Sequence, residues 1–207
     1  MPEHEPGSAP DPQDTGAEPR ADADPRPGTD SGYSSHLAEV LTRPDAFFEA
    51  ERRGDRSSAL IDLAAFFVVF FLAAVVARTF GYAGFEFRFG SLVEGIKATL
   101  VMAIPIAGLV FALPLQAARS GGTGSADLYL EKIGAALLLP TLLLLVAIGL
   151  DILDVAIQSW FRGAAMVFVY IAVFAASYAY AAPGRLKPAV AATLGFYLLY
   201  RLLVLLF

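Results

Sequence analysis

The sequence contains no cysteine, only two histidines and few charged residues, and each shortage excludes a class of protein. Without cysteine there can be no disulfide, zinc–thiolate site, iron–sulfur cluster or thiol nucleophile. His4 and His36 both precede the apolar part of the chain, so a haem or metal site inside a membrane would have to form without imidazole. We therefore predict no cofactor and no metal site.

The first 30 residues also lack the apolar run that a secretory signal peptide requires. Residues 1–35 contain seven of the 13 prolines, an excess of acids and almost no large apolar side chain. Such a segment cannot bury enough surface to offset the entropy lost on ordering, so we predict a disordered, acidic, proline-rich tail. The tail is either a docking segment or a solubilising leader without a partner, and the first apolar run is expected to be a retained membrane anchor.

Residues 36–57 have the composition of an amphipathic, interfacial helix. Thr42 fits an N-cap with Asp45 three residues later, and the helix is expected to end near residue 53 with its aromatic residues toward the lipid headgroups. The three bases that precede the first span would be attracted by anionic lipid and are predicted headgroup contacts: Arg52, Arg53 and Arg56.

Residues 59–207 hold almost all of the apolar surplus. Apolar residues make up 57% of the chain and charged residues 17%, against about 45–50% and about 25% in a soluble domain. Irregular backbone is not tolerated facing lipid, so each apolar run of about 20 residues should be a membrane-crossing helix. The sequence predicts an all-α membrane protein, a bundle of five transmembrane helices at about 58–78, 97–117, 133–152, 163–182 and 188–207.

Lysine and arginine near the ends of the spans predict the orientation. With the N-terminus inside, the inner segments hold eight bases and the outer side four. The sequence therefore predicts a multi-pass protein of the cell membrane, with a cytoplasmic N-terminus and a C-terminus at the outer face.

Charged residues are rare within the spans, and four of them fall near the predicted outer face. Arg201 lies in the outer third of the fifth span, where it can snorkel to the headgroups or take a buried functional role. Asp151 and Asp154 end the third span on the same side, and either could pair with Arg201 or Arg162. We predict structural ion pairs there and no catalytic, cofactor-binding or metal site.

Proline and small residues modify the second, third and fifth spans. Pro105, Pro114 and Pro140 predict kinked packing or, alternatively, the broken helices of a transport site. Residues 119–125 are glycine-rich but lack the strand and the Lys–Ser/Thr of a phosphate-binding loop, which favours a flexible inner linker. Small residues at helix-pairing spacing predict close helix contacts, within the bundle or between copies, at Gly108 with Ala112 and at Ala191 with Gly195.

The order of these features resembles the prokaryotic Yip1-domain proteins. A polar N-terminal stretch leads to Leu–Thr–Arg–Pro–Asp–Ala–Phe–Phe at residues 41–48, and five closely spaced spans follow. The resemblance covers about residues 36–207 and implies the fold without carrying over functional residues. In eukaryotes the family is associated with vesicle trafficking, small GTPases and membrane shaping, but the Asp-Leu-x-Gly-Pro signature of those members is not evident in this chain.

Our first functional hypothesis is a non-enzymatic, Yip1-like membrane protein that binds membrane partners or organises the bilayer. A small oligomeric transporter or channel, and an accessory subunit of a larger membrane complex, are the alternatives. An intramembrane enzyme is disfavoured because the span cores offer almost no ionisable groups. The predicted partners are the lipid bilayer and either another membrane protein or further copies of the chain, and nucleic acid is not among them.

Overall fold

A computed structural model describes residues 33–42, 56–80, 89–122 and 125–207 of the chain. These residues contain helices and no strand. A π-helical turn, Ser177–Ala181, follows α6 directly. The helices are α1 Tyr33–Thr42, α2 Arg56–Thr79, α3 Phe89–Ser120, α4 Ala126–Ala136, α5 Leu138–Ile152, α6 Gln158–Ala176 and α7 Leu186–Leu206.

The predicted all-α bundle with five membrane-crossing helices is confirmed. In the described residues α2, α3, the pair α4–α5, α6 with its π turn, and α7 are each long and apolar enough to cross a membrane. Several helices are longer than the apolar runs that predicted them: α3 has 32 residues, and the third span begins at Ala126 instead of residue 133. Apolar composition locates the part of a helix that lies in hydrocarbon, whereas the hydrogen-bonded helix continues into the more polar ends.

Consecutive spans alternate in direction, so the bundle has two ends. We call the end where α2 and α7 begin and α3 ends the proximal end, and the opposite one the distal end. Large apolar side chains fill the core between them, with α2 against α3, α4 and α5, and α7 against α3 and α6. Only 17% of the apolar stretch of α7 is buried, against 50% in the third span, so α7 faces outward most.

Proline breaks the third span but not the second. Pro140 lies in the first turn of α5, where its missing N–H cannot donate to the carbonyl of Ala136, and the chain turns at Leu137. Thr141 restores the ladder because its N–H and its hydroxyl both donate to the carbonyl of Leu137, at 3.0 and 2.6 Å. The two prolines of the second span, Pro105 and Pro114, lie inside α3, which continues as one helix through both.

The N-terminal part of the structure differs from the predicted boundaries. Helix α1 begins at Tyr33, so residues 33–35 of the predicted tail are helical, and Val40 packs on Ala135 and Leu138. Thr42, predicted as an N-cap, is the last residue of α1, and its hydroxyl donates to the carbonyl of Ala38 at 2.6 Å. The rest of the predicted tail and the predicted helix as far as residue 53 lie outside the described residues.

The glycine-rich segment after α3, predicted as a flexible linker, contacts α3 and the π turn at Gly122. Its N–H donates to the carbonyl of Ala117 at 3.0 Å. A Cβ added at Gly122 would lie 2.6 Å from the carbonyl oxygen of Ala181, and still closer to that of Tyr180. Only glycine allows the segment to approach the π turn this closely.

Gly122→Ala is therefore expected to destabilise the bundle by about 1–3 kcal/mol, because backbone carbonyls cannot move aside as a flexible side chain can. The measurement is thermal unfolding in a mild detergent. Gly163→Ala is the control, since a Cβ there meets no atom within 4 Å and alanine is the better helix former. Equal unfolding temperatures for the two variants would contradict the close contact at Gly122.

Candidate functional site

The proximal end of the bundle buries an aspartate that the N-terminal helix contacts. Asp62 lies in the second turn of α2 and has no exposed surface. The hydroxyl of Tyr33 donates to its Oδ1 at 2.6 Å, and Nε2 of His36 lies 2.9 Å from its Oδ2. A carboxylate withdrawn from water needs such partners, because burying it without hydrogen bonds costs several kcal/mol. Helix α1 thus supplies part of the solvation that Asp62 loses.

Burial and the contact with Asp62 also raise the pH at which Tyr33 loses its proton. Burial of the phenol, its hydrogen bond to Asp62 and the negative charge of that carboxylate together raise the pKa of Tyr33 to about 12. At neutral pH the phenol therefore keeps its proton and remains a donor to Asp62.

Helix α4 reaches the same place because it has a glycine at the point of contact. A Cβ added at Gly134 would lie 2.9 Å from the carbonyl oxygen of Ala59 and 3.4 Å from Cβ of Asp62. The close approach of α4 to α2 brings two further ionisable residues into the interior. Glu131 is 4% exposed and Lys132 1%, and Nζ of Lys132 lies 3.8 Å from Oε1 of Glu131.

The end of α6 closes this region from the other side. Nζ of Lys132 lies 5.8 Å from the ring centroid of Tyr180, within the range of a cation–π contact. Ser177, which is fully buried in the π turn, accepts a hydrogen bond from Nε2 of Gln116 at 3.1 Å. These four residues, Asp62 and Glu131, with the contacts of Asp62 to α1, form a group of six that we call the proximal polar cluster.

The distal end contains the ion pair among the four residues predicted there. Arg162 Nη2 lies against Oδ2 of Asp151, and Asp151 is buried. Asp154 is exposed and lies in the turn after α5. Its φ of 54° is a left-handed conformation that short polar residues tolerate. Arg201 is exposed on α7. Within residues 125–207, neither Asp154 nor Arg201 takes part in an ion pair.

Of the three predicted headgroup contacts, the structure describes one. Arg56 begins α2, and its Nε lies 3.7 Å from Oδ1 of Asp127. Both side chains are mostly exposed, at 71% and 63%, so this pair contributes little to stability. Arg52 and Arg53 lie outside the described residues.

A groove of about 540 Å³ runs between α3 and α7 and opens toward the side of the bundle. We call it the lateral groove. The spacing of Gly108 and Gly195 predicted close contacts between helices, within the bundle or between copies. Within the described chain they make none, because a Cβ added at either residue would meet no atom within 4 Å. Gln116, Arg119 and Ser120 lie at its proximal end, and its apolar wall includes Pro105, Gly108, Ala112, Ala192, Gly195 and Phe196.

Sequence reasoning missed the proximal polar cluster. The predicted third span began at residue 133, just after Glu131 and Lys132, and the predicted tail included Tyr33, so no contact between these residues and Asp62 was predicted. The available signal was a lone acid inside an apolar run, which must find donors elsewhere in the chain. Those donors lie 26 and 29 residues earlier in the chain, a separation that no periodicity indicates.

No family model matches this chain, and neither does any curated protein or solved structure. The resemblance to Yip1-domain proteins therefore stays a prediction.

Proposed function

We propose that this chain is a non-enzymatic, Yip1-like multi-pass membrane protein that binds membrane components from the plane of the bilayer. The distribution of polar groups supports the proposal. The buried ionisable residues of the described chain gather at the two ends, with Asp62, Glu131 and Lys132 at one and Asp151 at the other. The lateral groove opens sideways between these ends.

The middle of the bundle offers no partner to a polar solute within the described residues. Between the two ends the described interior is made mainly of apolar side chains, including Phe66, Met102, Ile106, Leu144 and Val169. The buried hydroxyl of Thr141 already donates to the carbonyl of Leu137 within its own helix. A solute crossing there would lose its hydrogen bonds to water and gain none, which costs several kcal/mol for each group. This favours lateral binding over transport through a single chain.

The proposal keeps the predicted orientation in the cell membrane, with the proximal end at the cytoplasmic face. Along the sequence the inner segments hold eight bases and the outer side four, as the positive-inside rule expects of that orientation. Four of the inner bases lie at helix ends and turns of the proximal end: Arg56, Arg119, Arg185 and Lys187.

Site-specific photo-crosslinking in native membranes tests the proposal. A photoreactive amino acid replaces Leu115, which lines the lateral groove, or Leu145, an exposed leucine on α5 outside it. We expect one dominant membrane adduct at residue 115 and only bulk adducts at residue 145. The same mixture of adducts at both positions would contradict lateral binding.

A flux measurement in liposomes separates this proposal from the transporter alternative. Vesicles containing the protein should leak protons and potassium ions no faster than protein-free vesicles, because the described interior has no polar path. A saturable flux of any solute that depends on the protein would overturn the proposal in favour of an oligomeric pore or a transporter.

A further inference from the structure

We propose that the lateral groove binds one anionic phospholipid, with an acyl chain along Gly108, Ala112 and Gly195 and the phosphate at Arg119. The inference rests on the proposed function and names the class of ligand that the lateral site takes. The length, the width and the charge of the groove support it separately.

The length of the groove corresponds to one leaflet. Along α3, Pro105 and Arg119 are separated by about 21 Å at the rise of an α-helix. Half of a bilayer, from the midplane through the headgroup region, is about 20–22 Å thick. A lipid whose phosphate lies at Arg119 would therefore reach the midplane near Pro105.

The width of the groove fits a hydrocarbon chain. A volume of about 540 Å³ over about 21 Å of length gives a mean cross-section of about 26 Å². A single extended chain, whose carbon atoms pack at about 4 Å from their neighbours, matches the space.

The open space beside the glycines needs an occupant. No atom lies within 4 Å of a Cβ added at Gly108 or at Gly195, although both residues face the groove. A gap at this depth of a membrane that stayed empty would forfeit the dispersion contacts of its walls. An acyl chain recovers those contacts without any movement of α3 or α7.

The charge at the mouth of the groove selects the headgroup. Arg119 is exposed in the last turn of α3 and makes no ion pair within the described residues. Guanidinium binds phosphate through paired hydrogen bonds. The lining contains no carboxylate that could attract the ammonium of a zwitterionic lipid, which favours a headgroup with a net negative charge.

A second groove, also with its polar residues at the proximal end, differs from the lateral groove in having a carboxylate beside its arginine. It has a volume of about 380 Å³ between α2, α3 and α4, and its mouth holds both Arg56 and Asp127. Nε of Arg56 lies 3.7 Å from the carboxylate of Asp127, so this cation is already compensated. A phosphate would be repelled by Asp127 there, whereas the described lining of the lateral groove contains no carboxylate.

The test fills the lateral groove without disturbing the bundle. The variant that combines Gly108→Leu with Gly195→Leu is called the filled variant. Gly149→Leu on α5 is the matched control, because a Cβ there also meets no atom within 4 Å. Each protein is reconstituted in nanodiscs of equal parts phosphatidylglycerol and phosphatidylcholine, then extracted in mild detergent. Native mass spectrometry counts the lipids that stay bound, and thermal unfolding shows that each variant is folded.

We expect the wild-type protein and Gly149→Leu to retain one phosphatidylglycerol and the filled variant to lose at least nine-tenths of it. Arg119→Gln should still retain a lipid, but the preference for phosphatidylglycerol over phosphatidylcholine should fall to the composition of the nanodisc. This second variant changes only an exposed side chain, so it tests the headgroup contact even if the filled variant does not fold.

Equal lipid retention in the wild-type and filled proteins would overturn the inference, and so would an unchanged headgroup preference in Arg119→Gln. If the dominant adduct at residue 115 is a protein and no lipid is retained, the groove serves a protein segment and the proposed function stands without the inference. If neither a dominant adduct nor a retained lipid is found, the proposed function fails as well.

Discussion

Asp62→Leu is expected to release α1 from the bundle while the five spans remain folded. The substitution removes the acceptor that Tyr33 and His36 share, at 2.6 and 2.9 Å. Hydrogen bonds to a charged group contribute about 1.5–3 kcal/mol each, so losing both should outweigh the apolar contact of Val40 with Ala135 and Leu138. Leucine has the same branched skeleton as aspartate, with two methyl groups in place of the carboxylate oxygens, and needs no hydrogen-bond partner, which is why the five spans should remain folded.

Hydrogen exchange of the amides of residues 33–42 measures this release. We expect exchange in α1 to become at least about 10-fold faster in Asp62→Leu, with α2 to α7 unchanged. Tyr33→Phe, which removes one of the two contacts and keeps the ring, should give an intermediate rate. Asp127→Asn is the control, because that carboxylate is also at the proximal end but is exposed. Unchanged amide exchange in Asp62→Leu would mean that the apolar contacts are enough by themselves to keep α1 on the bundle.

The count of spans could be predicted from the sequence because crossing a membrane imposes a length and an apolar composition on each helix. The start of the third span could not. In the sequence, Glu131 and Lys132 resemble charges that lie just outside a span, before its first apolar residue. In the structure α4 includes both residues, and they are buried where α4 packs against α2 and α6. Whether a charge is exposed at a helix end or buried against a neighbour depends on contacts that are distant in sequence.

Small residues likewise show that the sequence does not reveal which distant parts of the chain come into contact. The spacing of Gly108 with Ala112 identifies a helix face on which nothing protrudes, and sequence alone suggests that another helix covers it. In the structure that face borders the lateral groove, whereas Gly134, which belongs to no such pair, lies in close contact with the backbone of α2. A missing side chain shows where an approach is possible, but only the fold shows whether a helix, a lipid or nothing uses it.

Lys132→Met is expected to destabilise the protein by about 3–5 kcal/mol, which is the usual cost of removing one partner of a buried ion pair. The substitution removes the ammonium that lies 3.8 Å from Oε1 of Glu131 and 5.8 Å from the ring centroid of Tyr180. Glu131 is only 4% exposed, so water can replace the lost cation poorly. Lys187→Met, at an exposed position near the start of α7, is the control and should change stability by less than about 0.5 kcal/mol.

A double-mutant cycle then tells whether the two buried charges stabilise the bundle or serve another purpose. Glu131→Leu combined with Lys132→Met replaces both charges by apolar side chains, and the free energies of unfolding of all four proteins are measured in detergent. We expect the double variant to be more stable than either single variant, because an apolar pair has no desolvation cost to recover. Strictly additive losses would show instead that each residue acts through its other contacts. If the free energy of unfolding of the double variant equals or exceeds that of the wild-type protein, the buried charge pair does not stabilise the bundle. The position of the pair near Asp62 must then be explained by what the proximal polar cluster binds or positions.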